Sequence, residues 1–409
     1  MKYYLFTFLF LLNGISSAQT LFSPVIPESV GLQSSVLDQM KKEFRGLIDM
    51  DSLAGIQTAI IKDGGLAYYD SYGFADLESG KKLDEKSIFR IFSMTKPLVS
   101  VALMQLVERG LVSLEDPVSK HLPEFTRMSV MLDDGNTRPA TRPILVLDLL
   151  RHTSGLGYGR GSNQALIHEY SNAALHTLST NSRYSLKVST LPLYHDPGTD
   201  WTYGVSSNIV GALVEVLSGL SLQDYLKKYI LDPLEMYDTH FQLPFEKVEN
   251  FTVGYGWSEG SLAISEPYDN NRYVRDVTLF NGGGGLVSTL SDYLNFCQML
   301  INMGIYKDTR ILEEVNVEEM TRDHMAEVVL VNPETRMPFS ETGFGLGFAV
   351  NDSIADRDSP IYGWGGAVGT YFRIDPDKKM AYVMMIQLSP YRHLRLRERF
   401  QNYVLEALQ

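Results

Sequence analysis

Ser93 and Lys96 stand three residues apart at the head of the run RIFSMTKPLVSVALMQLVERGLV, Arg90 to Val112. On a helix, positions three apart share a face, so the ammonium would sit beside the hydroxyl. Pro97 is tolerated only in a first helical turn, which sets the helix start near Ser93 and leaves backbone N–H groups free there. Those groups, at the positive end of the helix, favour negative charge on a reacting oxygen. From Leu98 to Val107 almost every residue is apolar, so the helix is expected to be buried on all sides. Burial would push the lysine pKa down. A base needs that shift, because at the ordinary value of about 10.4 less than about 0.1% of a lysine is neutral at pH 7. The chemistry indicated is nucleophilic: a serine hydroxyl, activated by its neighbours, attacks an acyl group and carries it as an acyl-enzyme.

Spacing alone does not make such a pair. Ser79 and Lys82 have the same separation, but they lie in a polar turn with no buried helix behind them. Ser258, in Gly256-Trp257-Ser258-Glu259-Gly260, fits the G-x-S-x-G nucleophile elbow, which requires a strained strand-to-helix turn. Its flanks offer neither a convincing parallel strand before nor an apolar helix after, so a glycine-rich loop is expected. His152, followed by Thr153-Ser154-Gly155, reads as a turn residue in a structural hydrogen bond. Gly282 to Gly285 has the wrong spacing for a nucleotide loop and suits a tight backbone passage beside a site. Paired His, Cys or Glu spacing of ligand type is absent, so no metal and no cofactor are expected.

Several elements must position these groups. A helix is expected over Ser35 to Asp49, then strands over Gly55 to Lys62 and Leu66 to Tyr72, joined through Asp63-Gly64-Gly65. A second strand pair, Thr370 to Ile374 and Met380 to Ile386, lies near the other end, with a further strand over Phe344 to Val350 before it. The fold class expected is therefore α/β of the α+β type: one antiparallel β-sheet formed by both chain ends and flanked by helices, with a mainly helical inserted lobe. Residues 19–115 and 280–409 would form the sheet domain and residues 116–279 the lobe. Within the chain, Ile209 to Leu217 reads as a helix closed by Gly219, Ser221 to Asp224 as a capping box, and Ser291-Asp292 as the head of a helix to Asn302.

Composition narrows the function. The 409-residue chain has a formal net charge of -13 and no basic stripe, which argues against nucleic acid as a partner. Arg392 to Arg399, alternating with leucines, reads as the solvated side of a final helix. The opening MKYYLFTFLFLLNGISSAQT has the form of an export leader: Lys2, an apolar stretch from Tyr3 to Leu12, and Ser16-Ser17-Ala18 as cleavage site. Residues 1–18 are thus expected to be removed, giving a periplasmic or secreted product with no membrane anchor. The single cysteine, Cys297, cannot form an intrachain disulfide and reads as a small buried hydrophobe.

Taken together, these segments resemble the serine β-lactamase and penicillin-binding-protein superfamily in its class C-like branch, and within it most resemble the family VIII carboxylesterases. FRIFSMTKPLVSVALMQLVERG is similar to the S-x-x-K helix, and LDLLRHTSGLGYG to a Leu-Leu-x-His-Thr-Ser-Gly-Leu stretch. PGTDWTYGVSSNIVGALVEVLSG is similar to the segment of the catalytic tyrosine; GGGGLVSTLSDYLNFCQMLINMG, FGLGF and GWGGAVGTYF follow in order. The resemblance covers residues 30 to 405. It implies Ser93 as nucleophile, Lys96 as base or proton relay, and Tyr203 as the tyrosine of a Tyr-x-Asn motif. A phenol of ordinary pKa, about 10, needs a neighbouring cation to act near neutrality. The third motif falls on Trp364-Gly365-Gly366, lining the substrate pocket, with the backbone N–H groups of Ala367 and Ser93 as oxyanion hole. Two departures matter. Val205 replaces the asparagine, with Asn208 further on, and Trp364 replaces a cationic or imidazole residue that would hold a β-lactam carboxylate. Losing such a charge-assisted bond is worth about 1.5 to 3 kcal/mol, which favours neutral ester substrates. The implied activity is hydrolysis of small-molecule carboxylic esters with short acyl chains. A β-lactamase, D-amino-acid peptidase or transacylase would use the same residues, and a non-catalytic cell-wall-binding or scaffolding relative would keep only the fold. Oligomeric state is left open.

Overall fold

The computed structural model describes residues 22–269, 272–326, 328, 343–351 and 359–408, and the expected leader lies outside them. Its main sheet has eight antiparallel strands. In chain order these are β1 (Gly55–Lys62), β2 (Gly65–Asp76), β3 (Lys81–Lys82), β4 (Gly343–Phe344), β5 (Ala349–Asn351), β6 (Ile361–Gly365), β7 (Tyr371–Asp375) and β8 (Met380–Met385). Across the sheet they run β4-β5-β6-β7-β8-β1-β2-β3. The two ends of the chain meet where β1 pairs with β8, from Gln57 opposite Met385 to Lys62 opposite Met380. Nearly continuous burial along β1, including the polar Gln57 and Thr58, and along β8 explains their central place, since both faces are covered. Asp63 (φ 51) and Gly64 (φ 80) supply the two left-handed residues that a tight β1–β2 hairpin requires.

One expected strand divides in two. Phe344 to Val350 folds as the hairpin β4–β5, because Gly347 turns at φ 94 and a Cβ there would lie 2.3 Å from Ser100 Oγ. The turn is thereby pressed against the helix that carries Lys96.

Five helices frame the sheet and site: α1 (Ser34–Asp49), α2 (Thr95–Glu108), α3 (Ser206–Ser218), α4 (Leu290–Ile301) and α5 (Leu396–Ala407). Between the two sheet-forming ends the regular structure is helices joined by long loops, with short hairpins at Ser129–Met131/Thr137–Pro139 and Gly254–Ser258/Ser261–Glu266. Helices α1 and α5 pack together through Phe44, Phe400 and Tyr403. Helix α2 is buried at every residue from Thr95 to Leu106, as its sequence requires, and α3 packs against it. Gly219 closes α3 at φ 71, and the Ser221 side chain caps the next helix by accepting from Asp224 N. The head of α4 differs from expectation: Thr289 caps it by accepting from Asp292 N, so Ser291-Asp292 already lies inside the first turn. Among the described residues no single helix is long and apolar enough to cross a membrane.

Candidate active site

Ser93 sits in a single 3₁₀ turn, Phe92–Met94, that enters α2 at Thr95. Phe92 preceding it has φ 43, a left-handed conformation that a bulky residue adopts only when its surroundings impose it. The clamps are visible on both sides. Ile91 N donates to Leu286 O at 3.2 Å, Leu286 N donates to Thr95 Oγ1 at 3.1 Å, and Tyr293 Oη donates to Met94 O at 2.9 Å.

Lys96 is 1% exposed and projects back to Ser93 as the spacing required. Its Nζ donates to Ser93 Oγ at 3.3 Å, Tyr158 Oη at 3.2 Å and Gly283 O at 2.5 Å. The Tyr203 ring centroid lies 4.7 Å from the same nitrogen. Burial pushes the ammonium down, but Tyr158 and Tyr203 outweigh it and the net shift is upward. The expected lowering of Lys96 is thus corrected: three acceptors for three N–H bonds favour the charged form. Tyr158 was not foreseen from sequence, although it ends the segment LLRHTSGLGY. Burial raises its phenol, against the opposing pull of the Lys96 charge.

Tyr203 lies in the extended segment before α3. Gly204 allows the close approach: a Cβ there would be 2.0 Å from Leu156 O, so the two backbones touch and the rings of Tyr158 and Tyr203 come within 5.6 Å. Trp364, 6% exposed on β6, donates from Nε1 to Tyr203 Oη at 3.2 Å. It is therefore a hydrogen-bond donor to the tyrosine as well as a packed ring. His152, fully buried at φ 60, lies 4.9 Å from the Tyr203 ring. The structural bond expected of its ring is not found; neither nitrogen has a partner among the described residues, and burial and Lys96 hold it neutral, well below the usual histidine range. Its carbonyl instead accepts from Thr202 N at 2.9 Å, fixing the Tyr203 segment.

The glycine run forms the tight passage expected of it, threading between α2 and α3. A Cβ at Gly282 would meet Ser207 O at 2.5 Å and Val99 Cγ1 at 3.3 Å. Asn208, from the first turn of α3, donates to Asn281 Oδ1 at 2.8 Å, which also accepts from Gly283 N at 2.8 Å. Gly283 O then receives Lys96. This relay from Asn208 through Asn281 joins three distant segments, so only the folded chain reveals it.

Gly365, Gly366 and Ala367 turn from β6 into β7. Gly366 is confined: a Cβ would fall 2.2 Å from Thr370 Oγ1 and 2.5 Å from Ile91 O, so this turn abuts the Ser93 turn. Ala367 is exposed among buried neighbours. Arg397 braces the turn, donating from Nη2 to Gly366 O and, at 2.8 Å, to Thr370 O. Arg397 thus departs from the solvated face expected for Arg392 to Arg399, whereas Arg395 stays outside, paired with Glu398.

The competing candidates fall elsewhere. Ser258 is exposed at the end of a hairpin whose turn, Glu259 (φ 51) and Gly260 (φ 82), leads into a strand, the opposite of a nucleophile elbow. Ser79 Oγ donates to Asp76 at 2.6 Å, and Lys82 lies over the Phe74 ring. Cys297 is buried in α4. Among the described residues no group of three His, Cys, Asp or Glu could hold a metal ion. Beside Tyr158 and Gly284 opens a cavity of about 500 Å³, within the range of small-molecule sites.

A buried amine bonded to a serine hydroxyl and ringed by phenols is suited to nucleophilic acyl transfer. Comparison with known proteins agrees. The family model described as Beta-lactamase matches residues 40–405. The chain is 30% identical over 368 residues to protein Rv1367c of Mycobacterium tuberculosis, covering 87% of this chain and 90% of that one. It is 30% identical over 369 residues to esterase EstB of Burkholderia gladioli, covering 83% and 86%. Among solved structures, EstCE1, described as a hydrolase with promiscuous acyltransferase activity, superposes with TM-score 0.72 at 22% identity, covering 90% of this chain and 98% of the other.

Proposed function

The chain belongs to the beta-lactamase family and is a serine hydrolase of that fold, and on that premise we propose that it is an exported carboxylesterase acting on small-molecule esters of short acyl chains. In this reading the set formed by Lys96, Tyr158 and Tyr203 reacts in the form that is one proton short, with the amine neutral or one phenol ionised beside the ammonium; Ser93 Oγ attacks the ester carbonyl carbon and the Ser93 proton fills that vacancy. The three groups share protons as one coupled unit, so no single member is the base. Negative charge on the former carbonyl oxygen is met by the N–H groups of Ser93 and Ala367. The C–O bond to the alcohol then breaks, the shared proton leaves with the alcohol, and water hydrolyses the acyl-Ser93 ester.

The observation that carries this reading is the bond from fully buried Lys96 to Ser93 Oγ, with Tyr158 on the same nitrogen. A scaffold without chemistry would have no use for a desolvated ammonium beside a partly open serine. Esterase is favoured over β-lactamase because the position of an expected anion-holding cation is occupied by Trp364, already engaged with Tyr203. Transacylation is the second reading, supported by EstCE1: an alcohol in the place of water would take the acyl group from Ser93. Labelling tests the nucleophile itself. A fluorophosphonate probe is expected to add one equivalent to the protein, mapped by peptide mass to Ser93; label on another serine, or none, contradicts the reading.

A further inference from the structure

The cavity beside the Ser93 turn carries a charge pattern that the ester chemistry leaves unexplained. Tyr158, bonded to Lys96, and Gly284 line it on the side of the Ser93 turn, and the rest mixes apolar side chains such as Leu178, Val205 and Phe241 with polar ones such as Thr278 and Asn281. Its rim holds two guanidinium groups, Arg272 and Arg275. Arg272 lies 5.3 Å from the Phe92 ring centroid and 5.0 Å from that of Tyr273, so it is anchored over the residue next to Ser93. Neither arginine is in an ion pair with a described residue. Asp276 is the one carboxylate among the described lining residues, which leaves the rim with net positive charge on a chain whose formal charge is -13. On such a chain, paired cations at one concavity are a local reversal of the overall field.

We propose that this cavity receives the alcohol portion of the substrate, and that Arg272 and Arg275 bind a carboxylate carried by that alcohol. The proposal rests on the acyl-enzyme reading of Ser93: with a short acyl group on the serine, the cavity is left for the alcohol. Guanidinium is the group suited to this task, because its planar fork matches a carboxylate bidentately. Anion recognition is thus assigned to these arginines and not to position 364, where a tryptophan stands. The substrate class is an ester whose alcohol has an apolar body and a carboxylate.

Two butanoyl esters separate charge from shape: that of 3-(4-hydroxyphenyl)propanoate and that of the corresponding primary amide. At low salt the wild type is expected to show kcat/KM about tenfold higher for the carboxylate, and the ratio should fall toward one in Arg272→Gln, in Arg275→Gln and at 0.5 M NaCl. The ratio is the readout because Arg272 also covers Phe92; Arg275→Gln, outside that stack, keeps the test independent of any shift in the Ser93 turn. A wild-type ratio of one or less, or a preference that survives both substitutions, overturns the proposal. A failure of the ester reading shows differently, as no turnover of either compound. The subsite is then read without turnover, by calorimetric binding of the free phenol acid and phenol amide to Ser93→Ala: about tenfold tighter acid, lost on Arg275→Gln, upholds it, and equal binding overturns it.

Discussion

Lys96 has three N–H bonds and finds Ser93, Tyr158 and Gly283 as acceptors, so its ammonium is satisfied without water. Its pairing with Ser93 was legible because both lie on one helical turn. The direction of its pKa was not, because the tyrosines that raise it arrive from segments 62 and 107 residues further along the chain. Trp364 makes a contact that the sequence does not announce. It donates to the phenol oxygen of Tyr203, so Trp364→Phe keeps an aromatic side chain but removes the donor together with part of the ring volume. That change is expected to lower kcat for a neutral butyrate ester about tenfold with little change in KM. A pure KM effect in steady-state kinetics would assign Trp364 to substrate contact instead.

At the scale of elements, the site is the meeting of two turns. The Phe92–Met94 turn and the Gly366-Ala367 turn are pressed together through Ile91, Thr370 and the Arg397 brace. Gly366→Ala would place a Cβ 2.2 Å from Thr370 Oγ1 and 2.5 Å from Ile91 O, which forces the turns apart. A displacement of about 1 Å at an oxyanion site costs about 100-fold. Gly366→Ala is therefore expected to lose at least that factor in kcat while its circular dichroism is retained. The matching control is Gly46→Ala in α1, where nothing lies within 4 Å of the new Cβ and the rate should not change. Equal behaviour of the two variants would remove the turn from the catalytic account. Repeating patterns made the β1–β2 and β7–β8 hairpins and helices α1 to α4 readable from sequence. The β4–β5 hairpin and the inward turn of Arg397 were not, because each depends on a long-range contact, Gly347 with Ser100 and Arg397 with Gly366.

The whole molecule is closed by its two ends, with β1 beside β8 and α1 on α5, so the sheet that carries Trp364 is one that neither end forms alone. Its global stability should carry a pH signature from one buried acid. Asp292, in α4, accepts from Asp238 N and Thr239 Oγ1, both at 2.8 Å, and is pushed up to about 7, by burial first and by the Asp238 charge second. A carboxyl whose folded pKa lies above its unfolded one stabilises the fold fully only below about pH 4, and that contribution is lost as pH rises through about 7. From pH 5 to pH 8 the loss attributable to Asp292 is about 3 kcal/mol. Asp292→Asn can still accept both bonds, so its urea midpoint should fall less than that of the wild type over this interval. Parallel decline of the two proteins would exclude Asp292 as the source.

Hydrolysis of p-nitrophenyl butyrate decides whether Ser93 or Ser258 is the nucleophile. Wild type, Ser93→Ala and Ser258→Ala are compared at equal concentration, with folding checked by circular dichroism. Ser93→Ala is expected to lose at least about 1,000-fold and Ser258→Ala to keep wild-type turnover. Persistence of activity in Ser93→Ala, or its loss in Ser258→Ala, would contradict the assignment of Ser93.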